Sequence, residues 1–298
     1  MGVYIGCNEM LTNDHNLPEP VFRALSSDTY SRGVSNSSVT TLIDSPQVKI
    51  LARQFSDDIQ SDVADRLWAV LGTAVHIMFE GHADGNYLAE QRLTTEVKGW
   101  KISGAIDIQK TEEDGSVTIL DYKCTSVWSV IYGKESWAQQ LNMYSYLVRK
   151  EKGLDVSGLK IVAILRDWKQ SEAEFKPDYP KSPILVIDVP LWSNSEQDAY
   201  VLKRVEAHQQ AEHDYIGGDR IKPCSDAERW LRASKWAVMK KGRKRAVKLY
   251  DEEREAQEHM DRLGAGHELH YRTGEPVRCL KYCPVALFCP QFQSEVWS

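Results

Sequence analysis

Apolar residues recur at helical spacing from Asp62 to Phe79, at Val63, Leu67, Val70, Leu71, Val75, Met78 and Phe79, and this period predicts a helix. The pattern then changes. Trp100 to Ile108 alternates or runs apolar, Glu112-Glu113-Asp114-Gly115 supplies a turn, and Val117 to Tyr122 returns. Together these predict a β-hairpin. Around this centre the spacing predicts two helices ending near Gly85, three strands over about 90–122, a helix over about 135–151, and strands over about 159–167 and 183–190. A long helix is expected from Ser195 to Ile216, with Val201, Val205 and His208 on one side. Residues 1–35 read as irregular, with Leu17-Pro18-Glu19-Pro20 and serine-rich stretches, and the chain from Cys224 onward reads as helix plus a cysteine-bound cap. The mixture predicts an α/β fold, a mixed central sheet flanked by helices. No internal repeat or low-complexity segment is present.

Charges interrupt the strand segments. Asp107 ends one apolar run, in Gly104-Ala105-Ile106-Asp107, and Asp121 and Lys123 end the next, in Ile119-Leu120-Asp121-Tyr122-Lys123. Residues two apart on a strand share a face, so Asp121 and Lys123 look into one space while Tyr122 looks away. Such charges inside β-prone segments are costly unless paired or bound to a cation. Two aspartates and a lysine at adjoining strand ends form the set that phosphodiester hydrolysis needs: oxygen ligands for a divalent cation and a positive group near the attacking water. The expectation is a metal-dependent nuclease. Upstream, Gly72-Thr73-Ala74-Val75-His76 sets a histidine among small residues that would let its helix approach a sheet closely. In that context His76 reads as a metal ligand. Glu80, Glu90 and Glu96 could be further metal or water ligands, but a solvated face is the favoured reading for them.

Gly72…His76, Gly104-x-x-Asp107, Asp121-x-Lys123 and Gln140-x-x-x-Tyr144, in this order, resemble the PD-(D/E)XK nuclease superfamily. More narrowly they resemble its RecB-type exonuclease branch, which includes the iron–sulfur exonucleases of CRISPR adaptation and exonucleases carried by phages and prophages. The likeness runs from about Ser35 to Trp168, including the serine-led helix at Ser38, and adds a cysteine-bearing tail. It implies a restriction-endonuclease-like core over 36–217, followed by a C-terminal helical region, 218–298. It implies that His76, Asp107 and Asp121, with the Tyr122 backbone carbonyl, bind Mg2+ or Mn2+. Lys123 would act on the attacking water and on charge in the transition state, and Gln140 and Tyr144 would contact the DNA backbone or support the site. Asp121 stands where many relatives have Glu, and the shorter carboxylate still ligates metal. The implied activity is a DNA exonuclease for phage-type recombination or replication in the cytoplasm of a bacterial host, beside a recombination or single-strand-annealing protein. A structure-selective endonuclease and a non-catalytic DNA-binding protein of the same fold are the alternatives.

Cys279-x3-Cys283-x5-Cys289 gathers three of the chain's six cysteines, with Cys-Pro occurring twice. Thiolates at such spacing suit a soft metal centre. The relatives hold a 4Fe–4S cluster with x2 then x5 spacing and one distant cysteine, so zinc remains the alternative here. Cys224, in Lys222-Pro223-Cys224-Ser225-Asp226, is the expected fourth ligand, with Cys7 as the other candidate, and Cys124 reads as a small core residue. Met1-Gly-Val-Tyr-Ile-Gly-Cys7 lacks a basic and apolar leader pattern, which favours reduced thiols over disulfides.

The 298 residues are 42% hydrophobic, enough for a sizeable core, and no apolar run approaches a membrane span. A formal net charge of −6 does not advertise a nucleic-acid binder, yet phosphate contacts need only local positive charge. Lys235 to Lys248 supplies it, with Lys240, Lys241, Arg243, Lys244 and Arg245 clustered, Trp236 within and Tyr250 just beyond. That stretch is the expected DNA contact.

Overall fold

The structure, a computed structural model, describes residues 3–5, 9–27 and 35–296. It divides into two compact units, Met1–Ile221 and Lys222–Ser298.

In chain order the first unit runs β1 (Val3–Ile5), β2 (Glu9–Thr12), α1 (Glu19–Ser26), β3 (Ser37–Ser38), α2 (Val39–Ile43), α3 (Pro46–Gln54) and β4 (Gln60–Asp62). A 3-10 turn, Val63–Arg66, leads into α4 (Leu67–Glu80), followed by β5 (Tyr87–Val97), β6 (Trp100–Thr111), β7 (Val117–Thr125), α5 (Val127–Tyr132) and α6 (Glu135–Lys152). Then come β8 (Val156–Leu165), α7 (Gln170–Phe175), β9 (Ile184–Val189) and α8 (Asn194–Gly217). The expected α/β architecture is present: a six-stranded mixed sheet in the order β3-β6-β7-β8-β9, with β5 also on β6. Residues 1–35 are not irregular throughout, because Pro20 opens α1 and β2 pairs with β4. Proline suits a first helical turn, where its missing N–H costs nothing.

Period-2 burial is clear on β8, where Leu159, Ile161, Ala163 and Leu165 are buried and alternate with half-buried neighbours. These meet Leu141, Met143, Leu147 and Val148 of α6 and Val201 and Val205 of α8 in one apolar core. His208 of α8 is buried with Nε2 near the Leu42 and Asp44 carbonyls, and desolvation lowers its pKa to about 4, so it packs as a neutral ring. Ser38 caps α2 by accepting from Thr41 N–H.

Strand β6 changes partners along its length. β5 pairs with it from Trp100 to Lys110. On its other side β3 pairs at Ile102 and Ser103, and β7 pairs only from Ile108 to Thr111. Continuing the β7 register puts Asp107 opposite Asp121, at the point where the two strands part. Beyond it β7 stays on β8 as far as Thr125. The open stretch of β6 begins at Gly104, whose missing side chain admits α6: a Cβ there would lie 2.7 Å from Tyr144 Cε1 and 2.9 Å from Leu147 Cδ1.

The second unit corrects the expectation of helix from Cys224 onward. It holds β10 (Lys235–Lys240), β11 (Ala246–Tyr250), α9 (Glu253–Leu263), β12 (His267–Arg272), α10 (Val277–Lys281) and α11 (Pro290–Val296). The strands form an antiparallel sheet in the order β11-β10-β12. Ala237, Val238 and Met239 are buried, and Gly242, at φ 76°, turns the chain between β10 and β11.

Gly104→Ala should destabilise the chain by about 1–3 kcal/mol, read as a lower urea midpoint with unchanged slope. A neutral result would mean that α6 has room to shift from β6.

Candidate active site at the strand fork

Three potential donors converge at the fork. His76, on α4, has Nδ1 3.4 Å from Glu90 Oε1 and 3.5 Å from Asp107 Oδ1. One ligand atom from each of these residues lies within 4.8 Å of the other two. His76 reaches this place because α4 lies on β7, its ring edge-on to Tyr122 and Phe79 packed on the same tyrosine. Tyr122 therefore turns from Asp121 and Lys123 toward the helix. Asp107 is buried, and its Oδ2 accepts from Tyr122 N–H at 2.7 Å.

Glu90, for which the sequence favoured a solvated face over a ligand role, stands with His76 and Asp107. Ala89 pairs with Ile108 and Gln91 with Ile106, so Glu90 lies opposite Asp107. Its φ of 48° takes it out of extended geometry, a conformation that costs a non-glycine residue energy and recurs at functional sites. Nothing in the sequence signals that twist. Glu80 and Glu96 are exposed and stand outside the trio.

Beside the trio lies a second group. Asp121, 1% exposed, has Oδ2 2.5 Å from Lys123 Nζ. Its Oδ1 accepts from Gln140 Nε2 at 3.0 Å, and the same amide donates to Tyr144 Oη at 2.9 Å. Gln140 and Tyr144 are themselves buried. They stand behind Asp121 and hold it, with almost no surface to offer.

Electrostatics bind the two groups together. Burial, and then repulsion from Asp121, push the Asp107 carboxyl up to about 7, against the opposing pull of His76. His76 is raised chiefly by its hydrogen bond to Glu90, with desolvation opposing and Asp107 and Asp121 assisting. Crowded carboxylates of this kind suit a divalent cation, which would relieve their repulsion.

In the second unit, the hairpin joining β10 to β11 carries Lys240, Lys241, Arg243, Lys244 and Arg245, all exposed. None of the described cysteines, Cys124, Cys224, Cys279, Cys283 and Cys289, forms a disulfide, and Cys7 lies outside the described residues. Burial and then Cys283 and Cys289 raise the Cys279 thiol, but among the described residues the donor atoms that lie within 4.8 Å of one another are those of His76, Glu90 and Asp107, not the cysteine sulfurs. The Gln291 side chain brackets Cys224, accepting from its N–H at 2.9 Å and donating to its carbonyl at 3.0 Å, two residues after Cys289.

The mixed sheet thus forks at two buried aspartates, with a lysine two residues beyond one of them. The family model of the PD-(D/E)XK nuclease superfamily matches residues 41–290, and the chain belongs to that superfamily. It is a nuclease by family. Among solved structures it is similar to SSO0001, at 15% identity and TM-score 0.50 over 91% of this chain and 94% of that one, a likeness of fold. It also matches a candidate exonuclease from Eubacterium rectale, at 17% identity and TM-score 0.29 over 63% of this chain and 71% of that one. No curated protein matches. Among the described residues no helix is long and apolar enough to cross a membrane.

The raised Asp107 carboxyl gives a pH signature. Between the ordinary carboxylate range and about 7 the folded chain binds a proton that the unfolded chain has lost. Stability of the metal-free protein should therefore fall as pH rises through that window and level off above it. His76, also raised, adds the same sign at its own titration. In EDTA, the urea midpoint of wild type should drop more from about pH 5 to about pH 8 than that of Asp107→Asn. Equal slopes would show that Asp107 is ionised throughout.

Proposed function

We propose that this chain is a divalent-metal-dependent DNA exonuclease, acting at DNA ends in phage-type recombination or replication. The observation that carries the reading is the juxtaposition of the His76, Glu90 and Asp107 donors with the Asp121–Lys123 pair at one fork. His76, Glu90 and Asp107, with Asp121 and the Tyr122 carbonyl beside them, would hold Mg2+ or Mn2+. The imidazole favours tolerance of Mn2+. When bound, the cation would supply Lewis acidity to the scissile phosphate.

The remaining steps belong to the protein. Lys123 projects its ammonium into the fork, where it would orient the attacking water and offset charge on the pentacoordinate transition state. Asp121 holds that ammonium, and the Gln140 amide, braced on Tyr144, holds Asp121. This chain of contacts fixes a flexible lysine before substrate arrives, which lowers the cost of ordering it during the reaction. The basic hairpin would track phosphates. Cys224, Cys279, Cys283 and Cys289 would hold a 4Fe–4S cluster, with zinc as the alternative, in a structural role within the second unit.

With Mg2+ or Mn2+, wild type should release label from end-labelled linear DNA and leave covalently closed circular DNA intact, whereas Lys123→Ala should lose about 100-fold or more of the rate. Cutting of the closed circle would replace the exonuclease reading with an endonuclease. No cleavage by folded, metal-loaded protein would favour a non-catalytic DNA-binding protein. Separately, saturating Mn2+ should stabilise wild type by about 2–3 kcal/mol. Glu90→Gln should lose most of that gain if Glu90 is a ligand.

A further inference from the structure

The strands that carry the candidate site lead directly into a group of cations and aromatic rings that the nuclease chemistry does not use. β7 and β8 run parallel and end together, with Thr125 opposite Leu165. Their ends are laced: Arg166 N–H donates to the Thr125 carbonyl, and the Asp167 carboxylate accepts from Val127 N–H at the start of α5. On α5, Trp128 and Tyr132 stand one turn apart with rings stacked, centroids 5.8 Å apart and planes within 16°. They are 54% and 79% exposed, so the pair is turned to solvent. Across the strand ends the Arg166 guanidinium lies 4.5 Å over the ring of Trp68, itself half exposed, at the first turn of α4.

Lys134 follows α5 by two residues and is exposed, with its Nζ 6.0 Å from the centroid of the Trp137 ring. Desolvation lowers its proton affinity, and the positive charges of Arg166 and Lys123 lower it further. Lys123 is paired with Asp121. Among the described residues neither Lys134 nor Arg166 pairs with a carboxylate. Cations held close to one another without counter-charge are costly in the free protein, and a polyanion would offset the repulsion.

Charge asks for phosphate, and the rings narrow the choice. A duplex buries its base faces within its own stack and presents only phosphates and groove edges to such a surface. An unpaired strand presents both phosphates and free base faces, and basic grooves lined by stacking rings match it. We propose that α5 and the ends of β7 and β8 form a track for an unpaired DNA strand, with Trp128 and Tyr132 stacking bases and Lys134 and Arg166 holding phosphates beside Lys123. The substrate of the site would then be single-stranded DNA, or a duplex end with its terminal strand peeled away. This track rests on the nuclease reading for its purpose but not for its test.

The test is binding, in EDTA so that nothing is cleaved. Fluorescein-labelled oligothymidylate and a blunt duplex of equal length are titrated with full-length protein and followed by anisotropy. Tyr132→Ala and Trp128→Ala should each weaken oligothymidylate binding by about 5- to 100-fold and change duplex binding less than about two-fold. Tyr132→Phe and Trp128→Phe should keep most of the affinity, which loss of a merely structural contact would not explain. Tyr132 is largely exposed, so its variants should remain folded, and thermal melts would verify this. Arg166→Gln and Lys134→Gln should each reduce the slope of log affinity against log salt by about 0.7 for the single strand. Unchanged oligothymidylate binding in both alanine variants, or an equal loss for the duplex, would overturn the track. Tighter binding of oligouridylate than of oligothymidylate would overturn its assignment to DNA. Failure of cleavage with this binding pattern intact would sink the nuclease reading alone.

Discussion

The parting of β6 from β7 is the constraint on which the rest of the first unit depends. Where the ladder stops, Asp107 and Asp121 face each other with little water between them. Two carboxylates so placed repel, and each is held by a different device. Asp107 takes a backbone N–H from Tyr122 and the imidazole of His76, and Asp121 takes Lys123 and the Gln140 amide. Buried charge of this kind is tolerated only when nearly every lone pair has a partner. The helices that cover the sheet are positioned by those partners as much as by apolar packing.

That dependence accounts for the close fit of α6 against β6. Tyr144 presses on the Cα of Gly104 while its hydroxyl accepts from Gln140. A single residue thus joins the packing of the core to the orientation of a catalytic candidate. On the other side, α4 is an apolar helix that rests on β7 through Phe79 and His76, leaving Leu67, Trp68, Ile77 and Met78 exposed. It also sets the His76 imidazole at the fork, beside Asp107.

Much of the fold was legible in the residue pattern. The strands carrying Asp107 and Asp121, the helix carrying Gln140 and the long helix with Val201, Val205 and His208 inward all follow from periods of 2 and 3.6. Failures came where local and long-range signals disagreed. Pro18-Glu19-Pro20 read as irregular chain and instead opens α1, and the chain from Cys224 onward read as helix, whereas it holds the hairpin of β10 and β11. In both places one proline or glycine dihedral outweighed the surrounding pattern.

At the site, the sequence by itself determined which charges are out of place. Asp107, Asp121 and Lys123 stand out because β-prone segments cannot absorb charge without a compensating partner. The structure decided what those partners are. Glu90 joins His76 and Asp107 only through cross-strand register and a left-handed twist at one residue, and neither is encoded in a local pattern. Gln140 and Tyr144 turn inward to Asp121 because α6 must pack over Gly104, a contact between segments far apart in the chain. Charge in the wrong place is a local property, visible along one strand, whereas its compensation is assembled from four separate elements and exists only once the chain has folded.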